Sequence, residues 1–103
     1  MLKAFGPVET LRQLLETVGG IDEAHVYGSW AARYEGEPGP PPRDIDLLVV
    51  GAPDVPKLRQ RLATAERSLG REINLTVLPS ANWQQPAGAF VRTVKAGPLV
   101  RVA

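Results

Sequence analysis

Runs with helical spacing and runs with strand spacing alternate along the whole chain, and this alternation limits the fold more than any other feature. Residues 7–20, PVETLRQLLETVGG, begin with Pro7, which suits a first helical turn, and close on a glycine pair. Val8, Leu11, Leu14, Leu15 and Val18 recur there at helical spacing, so an amphipathic helix is predicted. Residues 24–28, AHVYG, are β-prone and end in glycine; a strand is expected. Residues 29–36, SWAARYEG, start with a cap-type serine and predict a short helix. A strand is predicted over 44–51, DIDLLVVG, and a helix over 54–70, with Asp54 as cap and Gly70 as stop. Its apolar face carries Val55, Leu58, Leu62, Ala65 and Leu69. Residues 71–78 alternate, placing Ile73, Leu75 and Val77 on one side and Glu72, Asn74 and Thr76 on the other. The tail predicts a helix over 86–97, with Phe90, Val91 and Val94 inward, and an edge strand over 98–102. The order α-β-α-β-α-β-α-(β) predicts an α/β (α+β) fold: a small mixed sheet of three to four strands with helices packed on it.

At 103 residues the chain fits a single domain spanning 1–103. A formal net charge of +1 gives no electrostatic case for direct nucleic-acid or membrane binding. No cysteine is present, which excludes disulfides, thiolate metal sites and a cysteine nucleophile. The single histidine, His25, has no evident partner, so a structural or solvent-facing role is expected and a histidine-based metal site or relay is not. No apolar run approaches the roughly 20 residues of a membrane span, and the N-terminus lacks a signal-peptide pattern; a cytoplasmic location is expected. The cluster 36–42, GEPGPPP, excludes helix and central strand, because consecutive prolines lack donors and fix φ; it predicts a stiff surface loop.

Asp44 and Asp46 stand one residue apart where the strand 44–51 begins, so both carboxylates point to the same face. Two anions that close repel unless a cation shares their charge. Hard carboxylate oxygens suit Mg²⁺, which takes one or two of them and fills its shell with water and phosphate oxygens. Gly28 and Ser29 lie where a strand gives way to a helix: glycine admits a close ligand, and the free amides of a helix start favour an anion. Glu72 and Asn74 share the polar face of the next strand, where a carboxylate could complete a two-metal site.

Together these residues resemble the DNA polymerase beta superfamily of nucleotidyltransferases, and within it the minimal nucleotidyltransferases. The family pattern is a hydrophobic-Gly-Ser turn, then Asp-x-Asp on a strand, then a third acid on a later strand. Here it would fall on Tyr27-Gly28-Ser29, Asp44-Ile45-Asp46 and the strand 71-REINLTVL-78. The segments 5-FGPVE-9, 28-GSWAARY-34, 70-GREIN-74 and 96-AGPLV-100 are also similar to a subgroup found fused behind winged-helix domains of bacterial regulators. No helix-turn-helix sequence is present, so a stand-alone or excised domain is expected. Two departures stand out. Fourteen residues separate Ser29 from Asp44, more than the family's usual gap, with the proline-rich segment as the excess. Neutral Asn74, between Ile73 and Leu75, stands where the third acid belongs, with Glu72 two residues before it on the same face.

The resemblance implies a polymerase-beta-like nucleotidyltransferase fold and a Mg²⁺-dependent transfer of a nucleoside monophosphate, AMP from ATP above other NTPs, to a hydroxyl of a protein or small molecule. It implies catalytic roles for Asp44, Asp46 and Glu72. Metal ligation would come from Asp44 and Asp46 with Glu72 or Asn74, and nucleotide contacts from Gly28, Ser29 and Arg33. Trp30 and Tyr34, at i and i+4, are expected to pack together rather than to stack on a base. Relatives imply partners of two kinds, a HEPN-type helical protein or a winged-helix regulator domain, and a second copy of the chain could complete so shallow a site. The rival expectation is a nucleotide-binding regulatory module, antitoxin-like or regulator-associated, that does not catalyse because its third acid is missing. A third is an interaction domain without a ligand.

Overall fold

The computed structural model describes residues 6–85 and 88–103. In chain order the elements are α1 (Pro7–Leu15), β1 (Ile21–Tyr27), α2 (Gly28–Tyr34), β2 (Asp44–Gly51), α3 (Val55–Leu69), β3 (Glu72–Leu78), α4 (Ser80–Gln84), α5 (Ala89–Ala96) and β4 (Leu99–Arg101). The four strands form one sheet in the order β3-β2-β1-β4. β1 runs antiparallel to both β2 and β4, whereas β2 and β3 are parallel, joined by the α3 crossover. The fold is thus a small mixed α+β sheet carrying five helices.

Side-chain parity sorts the sheet into two faces. Ala24 and Val26 of β1 and Ile45, Leu47 and Val49 of β2 point to one side, where Val8, Leu11 and Leu15 of α1, Trp30 and Ala31 of α2, and Leu58 and Leu62 of α3 close over them. Leu48 and Val50 point to the other side, beneath Trp83 of α4 and Val91 and Val94 of α5. β2 is therefore covered on both faces, which explains its unbroken apolar run from Leu47 to Val50. The same parity continues to the open end of β2, where Asp44 and Asp46 lie on the α4/α5 side beyond the reach of its core.

Several ends follow from local chemistry. The Asp54 side chain accepts from the Lys57 amide at 3.2 Å, satisfying one free donor of the α3 start. Gly70 adopts φ +67 at the other end, the left-handed stop that glycine takes at least cost. Other expectations need correction. α1 ends at Leu15 rather than at the glycine pair, because the Thr17 hydroxyl donates to the Leu14 carbonyl at 2.6 Å and the chain leaves in a turn. β1 begins at Ile21, three residues earlier than expected, where it pairs with Gly51. Ser29 is not a cap: Tyr27 holds that position, no side chain caps α2, and Ser29 falls within its first turn. The predicted tail helix is shorter, and its residues Pro86 and Ala87 lie outside the described residues, as does Phe5 of the FGPVE segment. Phe90, expected inward, is 43% exposed. α4 was not anticipated at all.

His25 takes the structural role expected of it, with partners the sequence did not show. It sits inside β1 and is only 7% exposed. Its Nε2 lies 2.7 Å from Glu23 Oε1 and its ring packs on Trp83 at 5.2 Å between centroids. Trp83 Nε1 donates to the same Glu23 oxygen at 3.0 Å, and Lys95 lies 4.4 Å over the Trp83 ring while donating to its carbonyl. Facing an acceptor-only carboxylate, Nε2 is the donor, and Nδ1 is buried without a hydrogen-bond partner among the described residues. This cluster fastens α4 and α5 to β1.

Candidate functional site

The backbone brings the sequence-identified residues to one end of the sheet. Antiparallel pairing sets Tyr27 opposite Asp46, so the turn that follows Tyr27 arrives directly beside the Asp pair. Parallel pairing sets Glu72 opposite Asp44 and Asn74 opposite Asp46. All four polar side chains therefore project from the same face and the same end.

Gly28 and Asp46 are fitted to each other. Gly28 has φ +74, a conformation that side-chain-bearing residues rarely adopt. A Cβ added there would lie 2.6 Å from Asp46 Oδ2. The backbone favours glycine here, and a side chain would also have to push the Asp46 carboxylate aside. The Gly-Ser turn and the Asp-x-Asp strand, fourteen residues apart in the chain, form one structural unit.

Asn74 closes the other side. Its Nδ2 donates to Asp46 Oδ1 at 3.1 Å and to Asp44 Oδ2 at 3.4 Å. The amide's two N–H groups stand between two carboxylates, where a cation would otherwise share their charge. Glu72 is exposed and makes no hydrogen bond or ion pair among the described residues. Among those residues no set of three or more His, Cys, Asp or Glu converges as a metal cage. Two carboxylates and an amide are nevertheless a donor set that suits Mg²⁺, which needs only one or two protein carboxylates. Turning the Asn74 amide by half a rotation would exchange its donor for its carbonyl oxygen, and the same three residues would then face a cation with oxygen alone.

The remaining candidates take other positions. Ser29 is exposed in the first turn of α2. Arg33 is engaged elsewhere: its Nε donates to the Pro40 carbonyl at 3.2 Å and its Nη1 lies 3.8 Å from Glu37. Arg71 donates to the Pro42 carbonyl. These two arginines hold the proline-rich loop against the domain and set the height of the rim where Asp44 emerges. Trp30 and Tyr34 do stack, with centroids 5.2 Å apart and planes at 21°. Trp30 is buried in the core and Tyr34 is 58% exposed. A cleft of about 740 Å³ opens beside Asp44 and Glu72, walled by Pro42, Arg43, Arg67 and Arg71.

Sequence reasoning missed one neighbour of this site. Tyr27 shares the face of Asp46, and Phe90 meets the Tyr27 ring edge-on at 5.8 Å and 85°. The parity of Tyr27 relative to Asp46 becomes readable only once the β1–β2 register is known. No helix among the described residues is long and apolar enough to cross a membrane. No family model, curated protein or solved structure matches the chain.

Proposed function

We propose that this chain is a nucleotidyltransferase-type domain, similar to the minimal members of the DNA polymerase beta superfamily, that transfers a nucleoside monophosphate from a Mg²⁺-bound nucleoside triphosphate to a hydroxyl acceptor. One observation carries the reading: the Asp46 carboxylate lies against Gly28, whose φ of +74 favours glycine, and this joins a phosphate-type turn to a pair of hard oxygen ligands. Each half has ordinary explanations alone. Their mutual fit favours a site that takes cation and phosphate together.

In this reading Asp44 and Asp46 would hold Mg²⁺, with Asn74 Oδ1, once the amide turned, as a neutral third ligand. The ion, when bound, neutralises phosphate charge and lowers the electrostatic barrier to attack on phosphorus. The amides of the Gly28-Ser29 turn and the Ser29 hydroxyl bind the outer phosphates. α2 has only seven residues, so its macrodipole adds little and the free amides do most of the binding. The acceptor approaches from the end of the sheet, past Asp44 and Glu72. Its hydroxyl oxygen forms a bond to the α-phosphorus, the bond to the β-phosphate oxygen breaks, and pyrophosphate leaves. Glu72, unengaged by any side chain among the described residues, takes the acceptor's proton. Catalysis is then mainly positioning and charge neutralisation. ATP is the triphosphate we favour, and a protein hydroxyl the acceptor, presented by a helical partner or by a DNA-binding regulator domain.

A second reading, nucleotide binding without transfer, is favoured by a specific feature. The third position is the neutral Asn74, whose amide already bridges the two aspartates. Incubation with Mg²⁺ and α-labelled ATP separates the two. Label transfer or pyrophosphate release that Asp44→Ala abolishes supports the enzyme. Saturable binding of ATP with no release under any acceptor condition supports the binding module, and absence of binding sinks both.

A further inference from the structure

We infer that Tyr27 and Phe90 form an aromatic shelf that takes the nucleobase of the bound nucleotide; this rests on the reading of Asp44 and Asp46 as a Mg²⁺–phosphate site. Tyr27 and Asp46 are directly paired across β1 and β2, so their side chains leave the same face as immediate neighbours. Phe90, in the first turn of α5, meets the Tyr27 ring in an edge-to-face arrangement at 5.8 Å. α5 secures itself to the sheet through Val91 and Val94, which are 6% and 5% exposed. Phe90 adds little to that anchoring and keeps 43% of its surface in solvent. Tyr27 is half-buried against the α4/α5 core, and its hydroxyl makes no hydrogen bond among the described residues.

An exposed phenylalanine alone would be unremarkable on a protein surface. The location changes its meaning. An apolar, flat-sided pair next to a charged rim has the two-part character of a nucleotide, whose triphosphate seeks cation and amides and whose base seeks a π-face. The other exposed aromatic among the described residues, Tyr34, is poorly placed for this role. It lies six residues beyond Gly28 on α2, about 9 Å along the helix, and stacks on Trp30 on the side of the proline-rich loop. Stacking is tolerant of base identity, so the shelf predicts preference for a nucleoside triphosphate over bare triphosphate, with weak discrimination among bases.

The test compares Mg²⁺–ATP with Mg²⁺–tripolyphosphate by calorimetry on the wild type, Phe90→Ala, Phe90→Leu and Asp46→Asn. ATP should bind the wild type about tenfold more tightly than tripolyphosphate, the gain expected of one exposed stacking contact. Phe90→Ala and Phe90→Leu should each lose most of that gain while leaving tripolyphosphate unchanged, and Asp46→Asn should weaken both ligands. Phe90→Trp should restore or exceed wild-type ATP binding, which a merely structural role for Phe90 would not produce. If Phe90→Ala leaves the ATP-to-tripolyphosphate ratio unaltered while Asp46→Asn weakens both, the shelf is wrong and the phosphate site stands. If neither ligand binds the wild type, or Asp46→Asn changes nothing, the phosphate site falls and the shelf with it.

Discussion

Replacing Asn74 with aspartate tests the arrangement at the rim from both directions. In the wild type, one amide donates to Asp44 at 3.4 Å and Asp46 at 3.1 Å, holding two like charges together without a metal. Asn74→Asp removes both donors and adds a third anion. The two hydrogen bonds, charge-assisted but at a solvated rim, contribute about 0.5 kcal/mol each after screening. A third carboxylate about 4 Å from each of its two neighbours adds about 1 kcal/mol of repulsion per pair in water-like dielectric, which salt screening brings down to about 1 kcal/mol in all. The expected loss is thus about 2 kcal/mol without divalent cations, which lowers the Tm of a domain this size by roughly 10 °C. Mg²⁺ should reverse much of it, since a concentration about tenfold above the Kd returns about 1.4 kcal/mol. The assay is thermal denaturation of both proteins in chelator and across a Mg²⁺ titration, with Na⁺ matched for ionic strength. The reasoning predicts a destabilised variant in chelator with a Mg²⁺ response larger than the wild type's. An unchanged Tm in chelator, or equal Mg²⁺ responses, would refute the bridging role of Asn74.

Further outcomes follow from other parts of the structure. Gly28→Ala should cost about 2 kcal/mol in urea denaturation, from φ strain and displacement of the Asp46 carboxylate, whereas Gly19→Ala, which meets no atom within 4 Å, should stay near neutral. Glu23 is held below its ordinary pKa of 4.5, chiefly by the His25 hydrogen bond and also by Trp83, against the opposing effect of burial. A depressed carboxylate contributes stability that is full above 4.5 and drains away as pH falls through the folded value, so acid unfolding should be less steep in Glu23→Gln. That variant should also lose about 1–2 kcal/mol near neutral pH, measured by urea denaturation, because its buried partners keep one acceptor but lose the charge. Leu58→Ala, at a fully buried position under the sheet, should cost about 2–5 kcal/mol by the same method.

What the sequence revealed follows the range of the interactions involved. Asp54 and Gly70 act on their own helix, and both were legible because capping and left-handed stops are local. The alternation in 71–78 placed Glu72 and Asn74 on one face correctly, since parity needs no partner. The start of β1 was obscured because Asp22 and Glu23 are poor strand formers; Glu23 is accommodated by His25 and by Trp83, sixty residues later. For the same reason His25 looked partnerless in the sequence. α4 is a five-residue helix whose only buried side chain is Trp83, too short for periodicity to register. Phe90 was expected inward because it adjoins Val91, yet it sits at the helix's first turn on the flank of the Val91–Val94 stripe, where the covering layer ends. At the site, residue types pointed to the chemistry we propose, while the fit of Gly28 to Asp46 and the bridging by Asn74 required the register.

The central claim is that Asp44, Asp46 and the Gly28 turn together receive a divalent cation with its nucleotide. Manganese, a paramagnetic substitute for magnesium, tests it residue by residue when titrated with ATP into isotopically labelled protein and followed by amide NMR. The account predicts selective broadening of Gly28, Ser29, Asp44, Ile45, Asp46 and Asn74 at substoichiometric metal, lost in Asp46→Asn. Broadening centred on other acids, such as Glu9 or Glu66, or spread evenly over the surface, would contradict it.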